Sequence, residues 1–170
     1  MGILDDLKMR VQSVNDGLTS GSMVKDVLLS HSGQIYTLQI QQLFEGKASS
    51  GQDMRPYYSE DLKPGGYFKS AESAQRYSAW KLNGIEYPYK ANRNPDAPNL
   101  YINGKFHSEL GVQFFSNSVG IMPITAYATR IVGKYGLKNF GLMPSNWSKV
   151  FVDFGAYNQL VNNIKARLYV

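Results

Sequence analysis

Apolar positions along the chain mark out helices first. Ile3, Leu4, Leu7, Val11 and Val14 recur at helical spacing, and Gly17 follows as a stop, which predicts a short amphipathic helix. Val24, Val27, Leu28, His31, Ile35 and Leu38 form a second stripe that keeps its phase across Gly33. Tyr36, Ile40, Leu43 and Phe44 widen it. That phase predicts one long helix from about Ser22 to Phe44, ended by Glu45-Gly46. Gly33 inside it costs about 1 kcal/mol relative to Ala.

From Gly46 to about Asn99 the periodicity fades, and glycines and prolines from Gly51 to Pro98 punctuate the chain. Ser70 is placed to cap a weak helix through Ala74, Tyr77 and Lys81. Asn103-Gly104 is a turn pair, followed by a short helical piece through Phe106 and Leu110. Gly111 to Phe115 and Val119 to Met122 have strand character, with Asn117-Ser118 to turn the chain between them. Thr125 begins a helix with Tyr127, Ile131 and Tyr135 on one face and Gly136 at its end. Tyr157, Leu160, Val161, Ile164 and Leu168 make the stripe of a C-terminal helix, with Lys165 and Arg167 in its last turns. Residues 145–152 predict a preceding helical turn or two, with Gly155 as the joint.

At 170 residues the chain has the size of one domain, residues 1–170, with 46–99 as an extended loop or arm inserted in it. A hydrophobic fraction of 43% and an aromatic fraction of 13% support a real core and argue against wholesale disorder. Without cysteine there are no disulfides and no thiolate metal sites. Asp5 and Asp6 stand where a signal peptide wants positive charge, so no targeting segment is expected. No apolar run is long enough to predict a membrane span. The net charge of +5 is uneven: residues 1–60 carry 5 basic and 7 acidic side chains, residues 101–170 carry 7 and 2. Such a gradient suits stacking on oppositely charged neighbours, or contact with nucleic acid, or simply a solvated surface.

Motifs of catalysis and metal binding are missing from the sequence. His31 lies on the apolar stripe of the long helix, where a core role outweighs a ligand role. His107 has no second histidine or carboxylate at ligand spacing. Gly46-Lys47-Ala48-Ser49 superficially matches a phosphate loop, but the upstream glycine would fall at Gln41 and the segment follows a helix. The acids are scattered singly apart from Asp5-Asp6, which suits a helix N-terminus. No catalytic residue, cofactor or metal is expected, and the chain is expected not to be an enzyme.

Seven of the 12 tyrosines lie between Tyr57 and Tyr101. Tyrosine combines contact area with a polar tip and suits interfaces. Tyr57, Tyr58, Tyr67, Phe68, Tyr77, Trp80, Tyr87 and Tyr89 are therefore candidate subunit-interface residues. The competing reading is that these rings cover their own subunit.

Three stretches together carry a resemblance. Residues 34–46, from Gln34 through Gln42-Leu43 to Gly46, lead into Ser50-Gly51-Gln52 and Pro56-Tyr57-Tyr58-Ser59. Pro98-Asn99-Leu100-Tyr101-Ile102-Asn103-Gly104-Lys105-Phe106-His107 follows, with Asn99 and Asn103 where Asp and Thr are usual. Lys134-Tyr135-Gly136 and Phe140-Gly141-Leu142 then precede the terminal helix. In order and spacing, over roughly residues 30–170, these resemble the small morphogenesis proteins of crAss-like and related tailed phages, and more distantly the neck and tail-completion proteins of long-tailed phages. The resemblance implies an α+β subunit, with a long N-terminal-half helix and a C-terminal helix packed on a small antiparallel sheet, and a Tyr-rich arm. It implies a homo-oligomeric ring of twelve or six copies at the head–tail junction, in contact with the portal and adjacent neck or tail proteins and with DNA passing through. The location implied is the virion, after synthesis in the host cytoplasm. Arg130, Lys134, Lys138, Lys149, Lys165 and Arg167 are the candidate basic surface toward an acidic neighbouring ring or the DNA. The alternatives are a basic nucleic-acid-binding accessory protein of a phage and an enzyme of unrecognised type.

Overall fold

The computed structural model describes residues 2–62, 67–86, 94–115 and 119–169. The fold is α+β: mostly helical, with one two-stranded antiparallel hairpin. The chain gathers into two compact units, Met1–Tyr36 with Val112–Gly120 and Ser145–Val170, and Thr37–Gly111 with Ile121–Pro144.

The first unit is built from α1 (Ile3–Thr19), α2 (Ser22–Ser30) and the start of α3 (Ser32–Phe44), together with α7 (Pro144–Ser148) and α8 (Ala156–Leu168). Helix α8 packs on α1, on α2 and on the π-helical turn Lys149–Asp153. Val14, Met23, Val27, Leu28, Ile35, Val150 and Ala156 form its buried apolar set. Gly155, at φ +79, supplies the joint before α8 that the sequence predicts.

Two sequence expectations shift here. Gly17 does not stop α1, which runs two residues further. Gly17 is buried, and a Cβ on it would lie 2.7 Å from Met23 Cγ, so the glycine serves close helix packing. The turn falls instead at Gly21, at φ +74. The long helix Ser22–Phe44 is likewise interrupted, at His31 and not at Gly33. Ser30 Oγ donates to the Val27 carbonyl at 2.7 Å. That carbonyl is the one a continuous helix would offer to His31, whose N–H bonds to Leu28 instead. The stripe keeps its phase because the Ile35 N–H still reaches the His31 carbonyl.

The second unit holds the remainder of α3, α4 (Ala71–Asn83), α5 (Lys105–Ser108) and α6 (Ala126–Tyr135). Helix α3 ends in a Schellman arrangement: Gly46 takes φ +69, its N–H meets the Leu43 carbonyl, and the Lys47 N–H meets that of Gln42. Gln39 and Gln42 are fully buried on α3 and stitch down the loop after α6. Gln42 Nε2 donates to the Gly141 carbonyl and its Oε1 accepts the Met143 N–H, both at 2.8 Å. Gln39 Oε1 accepts the Gly141 N–H at 3.1 Å.

The hairpin pairs β1 (Leu110–Phe114) with β2 (Val119–Pro123). The predicted turn at Asn117-Ser118 lies outside the described residues. Helices α4 and α6 start where the sequence places them. Ser70 accepts the Ser73 N–H, and Thr125 accepts the Ala128 N–H while donating to Glu109 Oε2 at 2.5 Å. Apart from α4 and a 3₁₀ turn at Tyr58–Glu60, the described part of 46–99 is loop. That loop is anchored, because Ala48, Met54, Tyr58, Phe68 and Ala97 are buried in the second unit.

Candidate functional site

The aromatic residues of the 57–80 stretch converge within the second unit. Helix α4 brings Tyr77 and Lys81 one turn apart. The Tyr77 ring centroid lies 5.1 Å from that of Tyr58 and 5.2 Å from that of Phe68, and Tyr58 and Phe68 meet edge-on at 5.7 Å. Tyr58 and Phe68 are thereby buried in their own subunit, and Tyr77 is half-buried. For these rings the structure favours the self-covering reading over an exposed interface. Tyr57 is half-buried too; its hydroxyl donates to Asp53, and the Arg55 guanidinium lies 3.5 Å over its ring. Tyr67 and Trp80 remain open, 66% and 47% exposed. Tyr87 and Tyr89 lie outside the described residues.

Beneath the rings runs a buried polar chain. Lys81, only 1% exposed, donates to the Tyr58 hydroxyl at 3.1 Å and to Asn99 Oδ1. Asn99 Oδ1 also accepts the Tyr101 N–H, and the Asn99 carbonyl accepts His107 Nε2–H at 3.1 Å. Burial pushes the His107 pKa down to about 4, and the nearby Lys81 charge adds to the effect. His107 is thus a neutral structural group at physiological pH.

Above this chain lies a cavity of about 300 Å³. One wall is the Tyr58, Phe68 and Tyr77 cluster with Tyr67; the other is α6, whose Tyr127, Ile131, Lys134 and Tyr135 share a face. The predicted α6 stripe therefore faces a cavity as much as a core. Lys134 Nζ stands 2.6 Å from Asp61 Oδ2 and also lies over the rings of Tyr67 and Tyr135, 5.7 and 5.4 Å from their centroids. Burial raises the Tyr135 hydroxyl pKa well above its ordinary value, helped by the Asp61 charge. A second, polar cleft is lined by Asp53, Arg55, Glu60, Lys134 and Lys138. Its charges largely satisfy one another: Arg55 pairs with Glu60, and Lys47 holds Asp53 below its usual pKa.

The six predicted basic positions are divided between the two units. Arg130, Lys134 and Lys138 belong to the second unit, and Lys149, Lys165 and Arg167 to the first. All six are exposed, and Lys134 also pairs with Asp61. Sequence reasoning missed Asp61 and the charge role of Lys81. The available signal was Lys81 in phase with the small buried residues Ala74 and Ser78 on α4.

The first unit contributes a different feature. On α1, Leu4, Leu7, Val11, Val14 and Leu18 alternate steps of three and four. That is the seam spacing of packed helix pairs. Val14 is covered by its own unit, but Ile3 and Leu4 are 89% and 80% exposed, and Leu7, Val11 and Leu18 also stand open.

Among the described residues no group of His, Asp or Glu could hold a metal ion, and no helix is long and apolar enough to cross a membrane. Comparison with protein-family models, with curated proteins and with solved structures finds no match to the chain.

Proposed function

We propose that the chain is a non-enzymatic assembly subunit that forms a ring at the head–tail junction of a tailed-phage particle. The observation that carries the proposal is the open seam of α1. Burying each such side chain is worth about 1.5–3 kcal/mol, and α1 leaves several of them in water. A stripe with three–four spacing is best covered by another helix, and a head-to-tail contact repeated from copy to copy forms a ring when its rotation closes. The exposed Tyr67 and Trp80 add amphipathic contact area on the second unit. The head–tail location comes from the resemblance of residues 30–170 to phage morphogenesis proteins. The nucleic-acid reading would rest on the exposed Arg130, Lys138, Lys149, Lys165 and Arg167, since Lys134 pairs with Asp61.

Quantitative mass spectrometry of purified particles of the phage encoding the chain tests this reading. Six or twelve copies per particle are expected. Particles lacking the chain would refute it.

A further inference from the structure

We propose that the cavity between α4 and α6 binds an uncharged small molecule, an aromatic ring with one hydrogen-bond acceptor on a short chain, and that the Tyr135 hydroxyl orients it. This goes beyond the assembly reading and stands without it.

The walls set the body of the ligand. About 300 Å³ accommodates a ring and a short chain, and Tyr58, Phe68, Tyr77, Phe106 and Ile131 present flat or apolar surface to it. The charged side chains of the lining are already engaged. Lys134 Nζ stands 2.6 Å from Asp61 Oδ2 and lies over the rings of Tyr67 and Tyr135. Lys81 is buried and donates to the Tyr58 hydroxyl and to Asn99 Oδ1. A ligand carboxylate would compete with Asp61 for Lys134, and a ligand ammonium would compete with Lys134 for the two ring faces. Either would shed its hydration to replace a partner already in place. An uncharged ligand disturbs none of these contacts.

The Tyr135 hydroxyl sets the polar feature of the ligand. Tyr135 is half-buried on α6, and its hydroxyl makes no hydrogen bond among the described residues. Burial and the Asp61 charge keep it protonated, so it stands as a donor. Tyr135 also borders the polar cleft, but the groups that act on its hydroxyl, Asp61, Tyr77 and Tyr67, line the cavity. A purely apolar occupant would cover this donor and leave it unpaired, whereas a carbonyl or ether oxygen would satisfy it.

The experiment is NMR titration of the full-length chain with four probes sharing a phenylethyl body: benzylacetone, hydrocinnamate, phenylpropylamine and propylbenzene. The ketone is expected to saturate one site, with the carboxylate and the amine each at least about tenfold weaker. Ile131→Trp fills the cavity and is expected to abolish binding. Should that variant not fold, Tyr135→Phe keeps the shape of the wall and removes only the donor. It is expected to weaken the ketone by about three- to tenfold, the worth of one net hydrogen bond, and to leave propylbenzene, which has no acceptor, unchanged. No saturable binding of the ketone, a charged probe binding as tightly as the ketone, or a folded Ile131→Trp chain that still binds it would overturn the proposal. So would a Tyr135→Phe chain that holds the ketone as the parent does, or that loses propylbenzene equally.

Discussion

The Lys81 ammonium donates to the Tyr58 hydroxyl across 3.1 Å, and both side chains are buried. The contact ties α4 to the 3₁₀ turn at Tyr58–Glu60. Replacing Lys81 by Met keeps the volume and removes the donor, leaving the Tyr58 hydroxyl and Asn99 Oδ1 to lose a charged partner. The expected loss is about 3 kcal/mol, measured by urea unfolding. A loss under about 0.5 kcal/mol would show that the buried network contributes little.

His107 gives the fold an acid sensitivity. Its pKa in the folded chain is about 4, against 6.5 for the free side chain. Above pH 6.5 both states are neutral and stability is unaffected. Between 6.5 and 4 the unfolded chain takes up a proton that the folded chain refuses, so stability falls with pH, by about 3 kcal/mol in all. An NMR titration of the His107 ring should show a midpoint near 4. A midpoint near 6.5 contradicts the buried placement.

Gly17 and Gly33 make a paired test. A methyl at Gly17 meets Met23 at 2.7 Å, whereas one at Gly33 meets nothing within 4 Å. Gly33→Ala is expected to stabilise by about 0.5–1 kcal/mol through helix propensity. Gly17→Ala is expected to lose about 1 kcal/mol or more, because overpacking outweighs that gain. Equal effects on the thermal midpoint would contradict the close approach of α1 to Met23.

Gln42 holds the Gly141 carbonyl and the Met143 N–H with one amide. Gln42→Leu fits the space but strands both backbone groups, at a cost of about 2–4 kcal/mol. Hydrogen exchange at the Met143 amide should accelerate in the variant. Unchanged protection there would mean that the loop is held by other contacts.

What the chain disclosed in advance was periodic or local. The stripes of α1, α6 and α8 lie in sequence where the helices lie in space, and Ser70 and Thr125 announced their helices because capping is settled within three residues. Gly17 was misleading because a stop glycine and a packing glycine look alike until Met23 is placed against it. The break at His31 hid in the Ser30 hydroxyl, which leaves the apolar phase untouched. The polar interior was not legible at all. Gln42 meets backbone groups about a hundred positions away, and Lys81 finds its partners at Tyr58 and Asn99. A polar residue destined for the core has the same letter as one destined for water. The cavity escaped for the same reason, since its two walls are far apart in sequence.

Sedimentation velocity of the full chain across a range of concentrations tests the assembly claim most directly. The parent chain is predicted to form a closed oligomer of six or twelve copies, and the doubly substituted Leu7→Glu, Val11→Glu chain is predicted to sediment as a folded monomer. A parent chain that stays monomeric at its highest soluble concentration, or an oligomer untouched by those two charges on α1, would contradict it.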